Sequence, residues 1–134
     1  MSERFFKIKI KIMSNRVVHF EIPSDDPKKS MDFFEKVFGW KFQQFGDMEY
    51  WTVITGENDK PGINGGLMKK MDPKQPVANS IDVANIDKAI EDITNAGGVI
   101  VVPKMAIPTV GWLAYFTDPD GNIHGVYQHD PEAK

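Results

Sequence analysis

Two βαβββ modules joined into one α+β domain are the architecture to expect of this chain, and three features of the residue order point there. Residues 17–71 and 76–128 repeat one pattern at a constant offset of 59 positions. Each copy opens on a period-two apolar alternation followed by a stretch with helical spacing. Each helical stretch then leads into three β-rich runs, which argues for α+β rather than a doubly wound parallel sheet.

In the first copy Val18, Phe20 and Ile22 alternate with His19 and Glu21, a half-buried strand ended by Pro23-Ser24. Asp26 caps a helix with Pro27 in its first turn, where a missing N–H costs nothing. Met31, Phe34, Val37 and Phe38 form its apolar stripe, and Gly39 ends it where a left-handed residue is wanted. The runs from Trp40 to Phe45, Glu49 to Thr55 and Ile63 to Lys69 read as strands, with turns at Gly46-Asp47 and Pro61-Gly62.

The second copy starts at Val77 to Val83. Asn85 caps a helix that carries Ile86, Ala89, Ile90 and Ile93 on one face, and Gly97-Gly98 closes it. Strands are expected at Val99 to Val102, Trp112 to Phe116 and Ile123 to Gln128. The stretch from Pro103 to Gly111 reads as a long irregular loop. Without a gap, the offset carries His19 onto Ala78, Gly39 onto Gly98 and Gly66 onto Gly125. One domain over residues 16–129 is expected, with module one at 16–71 and module two at 76–128. Residues 1–15 read as a peripheral extension, since Phe6 to Ile12 alternates with lysines as an edge strand would and the repeat needs nothing before residue 16.

Composition narrows the function classes. Apolar content of 41% and charged content of 26% are those of a soluble globular domain. A net charge of −3, with lysines scattered among carboxylates, gives no electrostatic footprint for nucleic acid or an anionic membrane. No cysteine is present, which excludes disulfides, thiolate metal sites and a cysteine nucleophile, and fits a reducing compartment. No run is apolar over the length a bilayer requires. A cytoplasmic protein is expected.

Strand alternation selects the candidate site. The apolar side of each first strand faces its own helix, so His19 and Glu21 face the opposite, concave side of a curved mixed sheet, as do Ala78, Ser80 and Asp82. Gly66 and Gly125 reach the same hollow, with Asn64, Met68, Ile123 and Tyr127 two residues to either side. A concavity of mixed polar and apolar residues suits a small ligand. His124, adjacent to Gly125, is expected to face away and to be structural, and His129 to be solvated. Trp51 and Trp112 are more in keeping with core packing than with ligand stacking. Gly65-Gly66 opens no helix, so it is no phosphate cradle, and no nucleophile–base motif is present.

The run His19-Phe20-Glu21-Ile22-Pro23, the spacing to Asp26, the helix Ser30-Met31-Asp32-Phe33-Phe34, Gly39-Trp40 and the turn Asp118-Pro119-Asp120-Gly121-Asn122 resemble the glyoxalase signature. Over residues 16–128 the chain is similar to the vicinal oxygen chelate superfamily, which includes glyoxalase I, extradiol dioxygenases, methylmalonyl-CoA epimerase, fosfomycin-modifying enzymes and bleomycin-binding proteins. Gly62 to Met68, and Pro103-Lys104-Met105 with Pro108 and Gly111-Trp112, resemble a branch labelled only glyoxalase-like.

The resemblance implies a divalent metal held by residues on the first and last strands of each module, and a homodimer. Carried over, the ligand positions fall on His19, Gly66, Ala78 and Gly125, of which only His19 can coordinate. Catalytic metal sites normally have three protein ligands, so no metal cofactor and no glyoxalase I activity are expected.

The function expected first is metal-free binding of a small, partly apolar molecule by His19, Glu21, Asn64, Met68, Ile123 and Tyr127. The alternative is a lyase, isomerase or epimerase using His19 and Glu21 as acid–base groups, or an atypical metal site. A third possibility is an interaction subunit with a vestigial cleft. For Glu21, a solvated rim charge stands beside the functional role.

Overall fold

The computed structural model describes residues 15–134. The edge strand expected over residues 6–12, and nearly all of the proposed extension, lie outside those residues. The chain divides into two compact units, Val18–Asn79 and a second containing Ser80–Lys134.

The first unit contains β1 (Val17–Ser24, all but its first residue), α1 (Pro27–Phe38), β2 (Lys41–Gln44), β3 (Tyr50–Ile54) and β4 (Gly65–Lys69). Its strands lie in the order β2-β3-β4-β1. β1 runs parallel to β4, a pairing that requires the long crossover supplied by α1, β2 and β3, while β2, β3 and β4 form an antiparallel meander. The Asp26 carboxylate accepts the Lys29 N–H at 3.2 Å to start α1. Gly39, at φ 72°, ends it by donating its N–H to the Glu35 carbonyl.

On the α1 side of this unit Val53 and Leu67 are fully buried. Phe20 meets Trp40, whose ring stacks on Phe34 at 4.8 Å between centroids. The stripe expected on α1 is covered only in part: Met31 and Phe34 are half-buried, but Val37 and Phe38 are 53% and 62% exposed, and Phe33, outside the stripe, is 56% exposed.

The second unit contains most of β5 (Ala78–Asp82), then α2 (Ile86–Asn95), β6 (Val99–Ile107), β7 (Gly111–Thr117) and β8 (Ile123–His129). The order is β5-β8-β7-β6, again with the first and last strands parallel. Ile86, Val83, Ala114 and Val126 form the core, joined by Ile81, Ala89, Ile90, Ile93, Trp112 and Phe116. Asn85 caps α2 through the Lys88 N–H at 3.0 Å, and the Gln128 side chain accepts the Ile86 N–H at 2.9 Å.

The two modules match in register as well as in order. Glu21 pairs with Gly66 and Ser80 pairs with Gly125, each equivalent displaced by the same 59 positions. The ungapped offset fails in the third strand. Tyr50 pairs with Met68, and Leu113 pairs with Tyr127, so Leu113 is the equivalent of Tyr50, four positions beyond the constant offset. The connection after β3 is longer than the one after β7, and the difference is absorbed there, so the strand slides while its neighbours stay in phase. The αL glycine after α2 is Gly97, at φ 99°, rather than Gly98, the position matching Gly39.

The expected loop from Pro103 is also corrected. β6 continues to Ile107 beside β7, with register shifts on either side of Val102. β6 is the outer strand of its unit and Pro103 falls at a bulge, so its missing N–H breaks no ladder bond. Only residues 108–110 connect the two strands.

Candidate functional site

The face of the first unit opposite α1 holds the polar chemistry. Alternation along β1 puts His19, Glu21 and Pro23 there, and the pairings with β4 and β3 add Gly66, Met68, Tyr50 and Thr52. The His19 Nε2 lies 2.8 Å from the Tyr50 hydroxyl. The ring of Tyr50 crosses over Gly66 so closely that a Cβ on residue 66 would overlap its hydroxyl. Burial pulls the His19 imidazole below its ordinary value. Burial, and then the Glu21 carboxylate, push the Tyr50 phenol well above its ordinary value. At neutral pH both partners of this hydrogen bond are uncharged.

Glu21 is 8% exposed, so it is a buried carboxylate and not a solvated rim charge. Met68 is half-buried, cross-strand from Tyr50 and on the same face. Asn64, just before β4, is engaged structurally: its side-chain oxygen accepts the Thr55 N–H at 2.9 Å and holds the β3–β4 connection.

Ile123 and Tyr127 belong to the second unit, where pairing places both on the face opposite α2. The Tyr127 hydroxyl donates to the Val110 carbonyl at 3.0 Å and lies 3.3 Å from His129 Nδ1. Burial, and then Asp82, raise its pKa. The equivalents of His19, Glu21 and Tyr50 here are Ala78, Ser80 and Leu113, so the imidazole–phenol pair occurs in one module only.

His124 lies on the α2 side, 2.9 Å from the Asp118 carboxylate and stacked on Phe116. Trp112 donates its indole N–H to Asp130 at 2.9 Å, with the Lys104 ammonium 4.5 Å above its ring. Trp51 pairs with Leu67 and faces α1, away from His19.

Tyr50 was not among the residues singled out by sequence. The signal available was a strand glycine at Gly66, which marks a close approach by another group. Naming the approaching residue required the β3–β4 register.

The donor set does not fit a metal of the kind the resemblance implies. Three of the four inherited positions are glycine or alanine, and the remaining donor, His19, gives its Nε2 to Tyr50. Among the described residues no group of three or more His, Cys, Asp or Glu side chains converges as metal ligands would. The Tyr50 hydroxyl also fills the space over Gly66.

The fold and this face define a class: paired βαβββ modules of the glyoxalase type, carrying an imidazole–phenol pair where a metal ligand set would stand. The family model for the Glyoxalase/Bleomycin resistance protein/Dioxygenase superfamily matches residues 16–124, and the chain belongs to that superfamily. "Putative glyoxylase CFP32" of Mycobacterium tuberculosis is 22% identical over 120 residues, covering 81% of this chain and 43% of its own length. The chain thus spans less than half of that relative. A superfamily member from Vibrio splendidus 12B01 shares 21% identity at a TM-score of 0.59, covering 86% of this chain and 98% of its own. Methylmalonyl-CoA epimerase from Mycobacterium tuberculosis shares 12% identity at a TM-score of 0.61, covering 86% of this chain and 88% of its own. These likenesses concern the fold. Among the described residues no helix is long and apolar enough to cross a membrane.

Proposed function

We propose that this protein binds a small, partly apolar molecule without a metal, on the β1–β4–β3 face of its first unit. The observation that carries the proposal is the His19–Tyr50 hydrogen bond over Gly66. It puts two neutral groups able to donate and accept on the face that also carries the apolar Met68 and the buried Glu21. A few fixed polar groups beside apolar surface are what small-ligand sites use for orientation. Ile123 and Tyr127 are proposed as further ligand contacts and Asn64 as a support of the β3–β4 connection. A homodimer in the cytoplasm is the assembly and setting we propose, and light scattering at micromolar concentration tests the former.

The test of function is a thermal-shift screen followed by calorimetry on wild type and His19→Ala. Wild-type affinity in the variant would move the site elsewhere.

A second reading is supported by the same pair and by the epimerase among the fold's relatives. His19 would act as a proton-transferring group of an isomerase, epimerase or lyase, with Glu21 and Tyr50 tuning it. Turnover of the ligand found in the screen, lost in His19→Ala, favours this reading over simple binding.

A further inference from the structure

We propose that Tyr50 is a positioning residue that fixes His19 in its Nδ1–H form, so that Nδ1–H becomes the donor that receives a neutral carbonyl or amide oxygen of the ligand. The inference rests on the binding site proposed above and names the ligand chemistry that the site selects.

The argument starts at the 2.8 Å contact between His19 Nε2 and the Tyr50 hydroxyl. A neutral imidazole has one N–H and one bare nitrogen, and a partner at one nitrogen decides which is which. Between a phenol and a neutral imidazole, the phenol is the better donor and the imidazole nitrogen the better acceptor. The proton therefore lies on the Tyr50 oxygen, directed at a bare Nε2, and the ring hydrogen is left on Nδ1. Burial keeps both groups in the uncharged forms this arrangement needs.

Gly66 makes the arrangement possible, because any side chain there would displace the Tyr50 hydroxyl. Nδ1 has no hydrogen-bond partner among the described residues, where the bond to Tyr50 is the one His19 makes. No buried side-chain nitrogen or oxygen among them lacks a partner, so Nδ1 is not fully enclosed. An uncharged N–H that is not fully enclosed, on the face that also carries Met68, matches a neutral oxygen acceptor on an apolar body. A charge-assisted contact, the kind an ionised carboxylate or phosphate gains most from, is not on offer from this pair. The second module, with Ala78 and Leu113 at the equivalent positions, has no such donor.

The experiment uses the full chain labelled with ¹⁵N-histidine at mildly alkaline pH, with the His19 ring signals assigned among the three histidines by their loss in His19→Ala. Wild type is expected to show a protonated Nδ1 and a bare Nε2. Tyr50→Phe, its fold checked by its amide spectrum, is expected to pass most of the population to the Nε2–H form. A protonated Nε2 in wild type, or an unchanged tautomer in Tyr50→Phe, overturns the proposal.

Acetophenone and its oxygen-free analogue α-methylstyrene then probe the ligand chemistry. Acetophenone is expected to move the Nδ1–H signal and α-methylstyrene to leave it in place. Equal shifts from both, or movement of β1 and β4 amides without movement of Nδ1, overturn the carbonyl assignment while the site stands. With the tautomer confirmed, no movement of Nδ1 or of those amides by either probe overturns the assignment together with the site beneath it.

Discussion

Tyr50 and Gly66 compete for one space: the phenol hydroxyl rests over the glycine where a Cβ would otherwise be. The glycine is therefore conditional on the tyrosine, a dependence that neither residue shows alone. Gly66→Ala is expected to push the Tyr50 ring aside, break its bond to His19 and destabilise the protein by about 1–3 kcal/mol, the scale of overpacking plus a lost buried hydrogen bond. In a Tyr50→Ala background the same change should cost much less. Urea denaturation of the four proteins of this cycle measures the coupling, and additive costs would show that the two residues do not share the space.

His19 makes stability depend on pH in a defined direction. Its folded pKa lies below the ordinary 6.5 because burial disfavours the imidazolium, and the groups beside it are Tyr50, which stays neutral, and Glu21. A group depressed in the folded state binds fewer protons there than in the unfolded chain. Its contribution is thus complete above the unfolded pKa and is lost as pH falls through the window down to the folded value. The unfolding free energy of wild type should decline across that window more steeply than that of His19→Ala, measured by urea melts at a series of pH values. Parallel curves would contradict the assigned burial.

Much of this was legible from residue order, for physical reasons that can be named. Asp26, Pro27 and Gly39 announce the limits of α1 because caps and left-handed turns demand particular residue types. The 59-residue offset holds for first and last strands because their parallel pairing fixes both at once, as Glu21–Gly66 and Ser80–Gly125 show. The third strand was legible as a strand but its register was not, because antiparallel register depends on connection length, and Tyr50 corresponds to Leu113 only once that register is seen. Pro103 misled for a related reason, since a proline ends a central strand but is tolerated at a bulge on an outer one. Alternation placed His19 and Glu21 on the face opposite α1. Nothing local could say that Glu21 would be more buried than the Phe33 and Phe38 rings of α1.

Asp118 gives the last module an acid-sensitive turn. Its carboxylate accepts from His124 at 2.9 Å and from the Asn122 and Asp120 N–H groups at 3.0 and 2.9 Å. These bonds, the His124 contact first, hold its pKa at about 2. A depressed carboxylate contributes stability above its unfolded pKa, and that contribution is lost as pH falls through the folded value. Wild type should therefore lose stability from about pH 4 down to about pH 2. Asp118→Asn should be less stable at neutral pH and flatter over that range. Thermal melts of both proteins across acid pH check this, and identical acid profiles would remove the turn from the account.

Metal content is expected to separate this protein from metal-dependent chemistry on the same fold. Of the inherited ligand positions only His19 carries a donor, and Gly66 cannot be given one while Tyr50 lies over it. A lone imidazole falls short of the three protein ligands a catalytic ion normally requires, and supporting hydrogen bonds orient ligands without replacing them. Elemental analysis of untagged protein is expected to find no stoichiometric Ni, Zn, Fe or Mn. Adding those ions should raise neither the melting temperature nor activity toward a glutathione hemithioacetal. About one tightly held ion per chain would reverse this expectation. If Gly66→Glu with Tyr50→Ala then gained ion affinity over wild type, the foreclosure would be traced to the space those two residues share.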